Sequence, residues 1–180
     1  MKFTETRIEG AYVIAPERLE DERGFFSRVF CREEFANLEL TTHIEQANLS
    51  GNAVAGTVRG MHYQVDTASE AKLVRCVQGA LYDVAVDLRP DSPTFGDWVG
   101  AELTGANDLA LLVPEGCAHG FQTLVDETKV LYHVSAAYDQ HRERGIHHAD
   151  PTLDIEWPLP VTRVSTRDAG LPFVVDAELP

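Results

Sequence analysis

Long apolar runs are missing from this sequence. No stretch approaches the roughly 18 residues that a membrane helix needs, so no span is expected. Cysteine is scarce: Cys31, Cys76 and Cys117 stand at irregular spacing, with no Cys-x-x-Cys pair. An odd count in that pattern supports neither a disulfide framework nor a zinc site. Basic residues are few, 15 Lys and Arg against 29 Asp and Glu, for a formal net charge of −14. Such an excess of acid repels nucleic-acid backbones and anionic lipid surfaces, so neither is expected as a partner. A local basic pocket for one small anion stays compatible with it. The opening MKFTETRIEG has no apolar run after its lysine and does not read as a secretory signal. A reducing, cytoplasmic setting is the expectation.

Several catalytic signatures are missing too. There is no Gly-x-Ser-x-Gly and no Gly-rich phosphate loop of the P-loop or Rossmann kind. Nor is there a His-x-His pair, with which many small β-barrels ligate a metal. His147 and His148 are adjacent, and in an extended segment neighbouring side chains point opposite ways. No metal site is therefore expected.

What remains is an ordinary globular composition, 44% hydrophobic and 24% charged over 180 residues. That length is one domain, residues 1–180, able to bury about 70% of the surface its unfolded chain exposes. Short segments of period-two alternation are interrupted by Gly, Pro, Asn or Asp every 8–12 residues, which predicts an all-β sandwich or barrel. Strands are expected near 43–49, 57–64, 71–77, 80–88, 98–104, 109–113, 120–125 and 128–135, and a short helix near 31–37. The C-terminal third is expected to wrap the barrel with short peripheral helices. Eight or more antiparallel strands in one domain suggest a double-sheet jelly roll.

Within these strands a few polar residues sit where greasy ones belong. His62 shares a face with Val58, Gly60 and Gln64 in Val58–Gln64. Lys72 aligns with Val74 and Cys76, and Tyr132 with Val130 and Val134. His119 stands between small residues in Pro114–Phe121. Singly, each reads as a satisfied core or loop residue. Together they place a base, an ammonium, a phenol and a second imidazole on interior positions of one barrel. That set suits proton abstraction next to a carbonyl, with His as base, Tyr as acid and Lys at the developing enolate oxygen.

A chain of longer motifs carries a family likeness. They are Asp21-Glu22-Arg23-Gly24-Phe25-Phe26, Gln46-Ala47-Asn48-Leu49-Ser50, Val58-Arg59-Gly60-Met61-His62-Tyr63-Gln64, Ala71-Lys72-Leu73-Val74-Arg75 and Asp83-Val84-Ala85-Val86-Asp87-Leu88-Arg89. Ser92–Gly96, Pro114–Phe121, Glu156-Trp157-Pro158 and Ser165-Thr166-Arg167-Asp168 continue them. In this order, over about residues 7–173, the sequence resembles the dTDP-4-dehydrorhamnose 3,5-epimerase family. The resemblance implies a metal-free, cofactor-independent cupin-type jelly roll that forms a homodimer by strand exchange at the N-terminus. It implies epimerisation beside the C4 ketone of a nucleotide-linked 4-keto-6-deoxy sugar.

By motif position, the resemblance makes His62 the general base, Asp168 its orienting partner and Tyr132 the acid on the other face. Lys72 falls by the C4 oxygen and His119 near the sugar or its phosphate. Arg23 and Arg59 fall at the diphosphate. Gln46, Asn48, Glu143 and Arg167 fall at nucleotide- or sugar-binding positions, and Tyr138 where an aromatic stacks on the base. Arg28 occupies the place of a usual nucleotide-binding Glu, which exchanges an acceptor for donors and leaves base and sugar identity open. Cys117 stands for a usual Phe, His148 for a usual Trp, and the loop Gly51–Ala55 lacks usual serines. Strict alternation puts Arg59 and His62 on opposite faces, so a bulge at Gly60 is expected. The rival readings are a C3-only or C5-only epimerase, a non-catalytic sugar-nucleotide-binding cupin, and a metal-dependent cupin enzyme.

Overall fold

The computed structural model describes residues 1–180. Thirteen strands and one short helix follow along the chain: β1 (Lys2–Glu5), β2 (Tyr12–Ala15), β3 (Arg18–Asp21), β4 (Gly24–Ser27), α1 (Arg32–Ala36), β5 (Gln46–Asn52), β6 (Val58–Gln64), β7 (Lys72–Gln78), β8 (Ala80–Asp87), β9 (Trp98–Thr104), β10 (Ala110–Val113), β11 (Cys117–Thr123), β12 (Thr128–Val134) and β13 (Glu143–Gly145). A six-stranded sheet has the order β1-β2-β10-β7-β12-β5, and a five-stranded sheet the order β13-β6-β11-β8-β9. Strands β3 and β4 pair only with each other. The result is the double-sheet jelly roll that the turn spacing predicts, of the cupin type that the resemblance implies.

The alternation of side chains explains how the sheets stack. Val74 and Cys76 of β7, Leu111 and Val113 of β10 and Val130 of β12 point inward from one sheet. They meet Leu81 and Ala85 of β8, Leu103 of β9, and Cys117 and Phe121 of β11 from the other. The reverse face of β8, with Val84 and Val86, is covered by C-terminal residues Ile146, Leu153, Ile155 and Val174. The outer face of the six-stranded sheet, with Ile14, Leu73 and Leu112, is closed by Phe35 of α1. Strand β8 is thus covered on both faces, which is why it reads as a near-continuous apolar run.

Each of the eight expected strands is present, with two shifts. The one expected at 43–49 runs Gln46–Asn52, and the one at 120–125 starts earlier, at Cys117, directly after the Gly116 turn. Small Cys117 and Ala118 hide their strand character in sequence but pair with Asp87 and Val86. The four N-terminal strands and β13 carry no such expectation. They are three or four residues long, too short to show a period. Helix α1 lies inside the expected 31–37. Short 3₁₀ turns at Asp168–Gly170 and Val174–Asp176 belong to the wrapping C-terminal segment, as expected.

One expectation needs correcting. The His147 and His148 rings do not point apart; they stack with centroids 4.5 Å apart. The chain turns there instead of running extended: the Asp150 N–H donates to the His147 carbonyl, and the Ala149 N–H to His147 Nδ1. The same stretch anchors the C-terminal strap. The His147 N–H donates to the Pro172 carbonyl at 2.8 Å, and the Val174 N–H to Asp150 Oδ2 at 2.6 Å.

The expected bulge is also found. Opposite β11, His62 pairs with His119 and Arg59 with Phe121, so three steps on β6 match two on β11. The extra residue turns Arg59 and His62 to the same side. Gly60 at its centre has φ +114°, and a Cβ there would stand 2.6 Å from both Gly120 Cα and the His119 carbonyl oxygen. At the far end of β8, the buried Asp87 carboxylate ties down the following loop. It accepts from Arg89 Nε and Nη2 at 2.9 and 2.8 Å, from Ser92 Oγ at 2.6 Å and from Thr94 Oγ1 at 2.7 Å.

Two outcomes follow from these positions. Gly60→Ala should cost about 3 kcal/mol through forced φ and backbone overlap, read as a lowered urea midpoint. Asp87→Asn should cost about 3 kcal/mol by stripping a buried charge from its partners. Burial pushes the Asp87 pKa up, but its hydrogen bonds from Arg89, Ser92 and Thr94 outweigh that and hold it below its ordinary 3.8. Its stabilisation is therefore complete above pH 4 and fades as pH falls further. Acid unfolding of native protein between pH 4 and 2 should be steeper than that of Asp87→Asn. Parallel curves would remove Asp87 as a source of acid sensitivity.

Candidate active site

The bulge, the inner faces of β5, β7 and β12, and the C-terminal strap enclose a cavity of about 730 Å³. A second cavity of about 280 Å³ adjoins it. His62, Lys72 and Tyr132 line both, so they stand at the junction. Three strands supply them: β6, β7 and β12.

His62 Nε2 lies 2.8 Å from Asp168 Oδ1. Asp168 Oδ2 accepts the Gly60 N–H at 3.2 Å, and its own N–H donates to Ser165 Oγ at 3.0 Å. Burial pushes the Asp168 carboxyl up, but the bond to His62, the charge of that ring and the Gly60 N–H outweigh it and hold the pKa below its ordinary value. Asp168 is thus ionised at neutral pH. A carboxylate so placed can fix the tautomer of His62 and would stabilise an imidazolium there.

Tyr132 sits between Asn48 of β5 and Val74 of β7 in the ladder. Burial raises its phenol pKa, and the nearby Glu70 carboxylate adds to that. The phenol therefore stays protonated and able to donate at neutral pH. Lys72 is buried, with Nζ 3.2 Å from both the His62 carbonyl oxygen and Glu70 Oε1. Below it, His119 Nε2 lies 2.8 Å from Asp83 Oδ1. Asp83 is fully buried and its Oδ2 has no partner. Burial pushes the Asp83 pKa up, and the charges of His119 and Lys72 pull against that.

The smaller cavity holds the expected nucleotide-side residues Gln46, Asn48, Tyr138 and Glu143. Gln46, Tyr138 and Glu143 form one network with Arg167. Gln46 Oε1 accepts the Tyr138 N–H at 2.7 Å, the Tyr138 hydroxyl donates to Glu143 Oε2 at 2.6 Å, and Arg167 Nη2 reaches that oxygen at 2.7 Å. Burial pushes Glu143 up, while the bonds from Tyr138 and Arg167 hold it below its ordinary value. Arg59 lines the larger cavity, its Nε donating to Asn52 Oδ1 at 2.7 Å.

Two expected residues are not brought to this site within one chain. Arg23 sits on the β3–β4 turn, ion-paired with Asp21. Arg28 faces Glu34 at 3.4 Å. Neither lines either cavity. Conversely, the sequence reading missed Asp83, Glu70 and Arg163. Asp83 left a signal, an acid in the middle of the apolar strand Leu81–Val86. Glu70 and Arg163 left none, because both lie in irregular chain, Glu70 just before β7 and Arg163 in the C-terminal strap. The two buried thiols offer no nucleophile: burial pushes Cys117 up to about 12 and raises Cys76 as well. No three or more His, Cys, Asp or Glu side chains converge so as to hold a metal ion.

Comparison with known proteins agrees with this geometry. The family profile described as dTDP-4-dehydrorhamnose 3,5-epimerase matches residues 5–176. A dTDP-4-dehydrorhamnose 3,5-epimerase of Sinorhizobium fredii is 43% identical, covering 100% of this chain and 92% of its own. A dTDP-4-dehydrorhamnose 3-epimerase of Streptomyces niveus is 39% identical, covering 98% and 86%. The crystal structure of the dTDP-6-deoxy-D-glucose-3,5-epimerase of Legionella pneumophila, in complex with dTDP-4-keto-L-rhamnose, superposes with a TM-score of 0.93 at 37% identity, covering 99% of this chain and 97% of that one. With matching length, barrel and motif order, this chain belongs to the dTDP-4-dehydrorhamnose 3,5-epimerase family.

Proposed function

We propose that this protein epimerises a dTDP-linked 4-keto-6-deoxy hexose by moving protons on the carbons that flank the C4 ketone. The observation that carries this reading is the junction itself: the His62–Asp168 pair and the Tyr132 phenol open onto one cavity beside the Lys72 ammonium. His62 takes the carbon-bound proton and becomes imidazolium. The electron pair moves onto the C4 oxygen, where Lys72 stabilises the enolate. Tyr132 delivers a proton to the other face and becomes phenolate. Exchange with water through the open cavity returns both groups to their starting forms, so the cycle balances without an oxidant or cofactor.

The base and ribose fit the Gln46, Asn48, Tyr138 and Glu143 side, and the diphosphate fits the guanidinium of Arg59. Arg167, held by Glu143, stands between them. His119, braced by Asp83, faces the sugar end. The β3–β4 hairpin pairs with nothing else and exposes Leu19 by 62%, Phe25 by 52% and Phe26 by 68%. Such a tongue fits a homodimer in which the hairpin crosses to the partner subunit and brings Arg23 and Arg28 toward its nucleotide. No helix is long and apolar enough to cross a membrane. A second reading, action at C3 alone, is favoured by the Streptomyces niveus relative, whose name specifies a 3-epimerase.

Deuterium exchange separates the readings. In D₂O with dTDP-4-keto-6-deoxyglucose, label should enter at C3 and C5, seen by NMR; label at C3 alone selects the second reading. His62→Ala should lose roughly 10²–10⁴-fold in both exchange and turnover. Tyr132→Phe should retain exchange at the first carbon and lose product formation. A His62→Ala variant with native turnover would overturn the mechanism.

A further inference from the structure

Most arginines of this acidic chain are neutralised by carboxylates, Arg167 by Glu143 and Arg89 by Asp87 among them. Arg59 and Arg163 are not ion-paired. Arg59 makes hydrogen bonds only to neutral oxygens, those of the Asn52 amide and the Gly51 carbonyl. Both arginines line the same large cavity, and both also line a second cavity beside the loop at Gly51–Val54. Leaving two cations unpaired in one cavity, in a chain with 29 acidic residues, needs a reason.

The backbone explains why they share a side. Arg163 lies in the C-terminal strap, bridged in parallel to Thr57 just before β6. The Val58 N–H donates to the Arg163 carbonyl at 2.8 Å, and the Thr162 N–H to the Gly56 carbonyl at 2.9 Å. Paired residues of neighbouring strands project to the same face at about 4.8 Å spacing. Arg59 follows Thr57 by two, the strand period, and so projects to that face as well. The position of Arg163 is thus set by main-chain bonds, while its side chain is free and exposed to the cavity.

We infer that Arg163 is a substrate-binding residue, and that with Arg59 it forms an intrachain two-guanidinium fork for the diphosphate of the nucleotide sugar. The assignment rests on the epimerase reading only for the name of the ligand. Two planar donors on one face match the oxygens of adjacent phosphoryl groups, and neither has to break an ion pair to bind them. The fork acts within one chain, independently of Arg23 on the distant hairpin. The same strap carries Arg163 and Asp168, so diphosphate binding and support of the His62 base depend on one segment.

Calorimetric titration of the native protein, Arg163→Ala and Arg163→Lys tests this with inorganic pyrophosphate, dTDP and thymidine as probes. At low ionic strength, Arg163→Ala should weaken pyrophosphate and dTDP about tenfold and leave thymidine unchanged. The gap should shrink at high salt, because exposed charges are screened. Arg163→Lys should recover part of the loss as a point charge. In turnover, the loss should appear in KM more than in kcat. The main-chain bonds of the strap survive these changes, and an unchanged thermal midpoint would verify that. Native pyrophosphate and dTDP affinity in Arg163→Ala would overturn the assignment. Arg163-dependent pyrophosphate binding without deuterium entry into the sugar would uphold the fork and defeat the epimerase reading instead.

Discussion

The Asp168 carboxylate holds together parts of the chain that lie more than one hundred residues apart. One oxygen receives His62 and the other receives the Gly60 N–H, while its own backbone is pinned by Ser165. A single buried anion thereby joins the C-terminal strap, the bulge in β6 and the base. Burying a carboxylate without such donors would cost several kcal/mol and drive it to the neutral acid. With them it stays ionised, and the imidazole is held in one orientation. The strap is fastened independently by the bonds His147–Pro172 and Val174–Asp150, so the pair does not have to supply its own docking.

The same logic applies deeper in the barrel. Asp83 points inward with Leu81 and Ala85, into what is otherwise an apolar layer. Its partner His119 and the nearby Lys72 offset part of the desolvation cost, and one oxygen remains unpartnered. An apolar residue there would favour stability. What the acid provides is a fixed orientation for His119 and a counter-charge beneath Lys72, with Glu70 as a second one. The apolar layers on both sides of β8 supply the stability that permits this local loss.

The strand framework was legible because turn residues recur at regular intervals and because interior strands alternate. His62, Lys72 and Tyr132 stood out as polar residues on apolar faces and His119 as a histidine between small residues, and the structure brings all four to one cavity. The Gly60 bulge could be deduced from a conflict: Arg59 and His62, which the family resemblance puts at one ligand, are three apart. Other features left no local mark. Strands of three or four residues show no period. The stacking of His147 on His148 comes from a turn fixed by Asp150. Arg163 looked like loop, because its place beside Thr57 is set by a bridge between residues over one hundred apart. Arg23 and Arg28 were expected from motif position alone, and within one chain the hairpin carries them away from the cavity.

Charge distribution completes the account. A protein with a net charge of −14 repels a nucleotide diphosphate at long range, though that field is screened beyond about 10 Å at 0.1 M salt. Inside that distance the cavity reverses the sign. Arg59, Arg163, Arg167 and Lys72 line it, while Asp168 is its one acidic lining residue. Local cations focused by low-dielectric walls can outweigh the distant acids. The acids near the site are themselves occupied: Glu143 holds Arg167, Asp83 holds His119 and Glu70 holds Lys72. What an incoming dianion meets first is therefore the pair of arginines that nothing neutralises. The Lys72 ammonium is already balanced by Glu70, which leaves it less able to trap the ground-state phosphates and, on the proposed mechanism, suits it to the charge that appears only as the enolate forms.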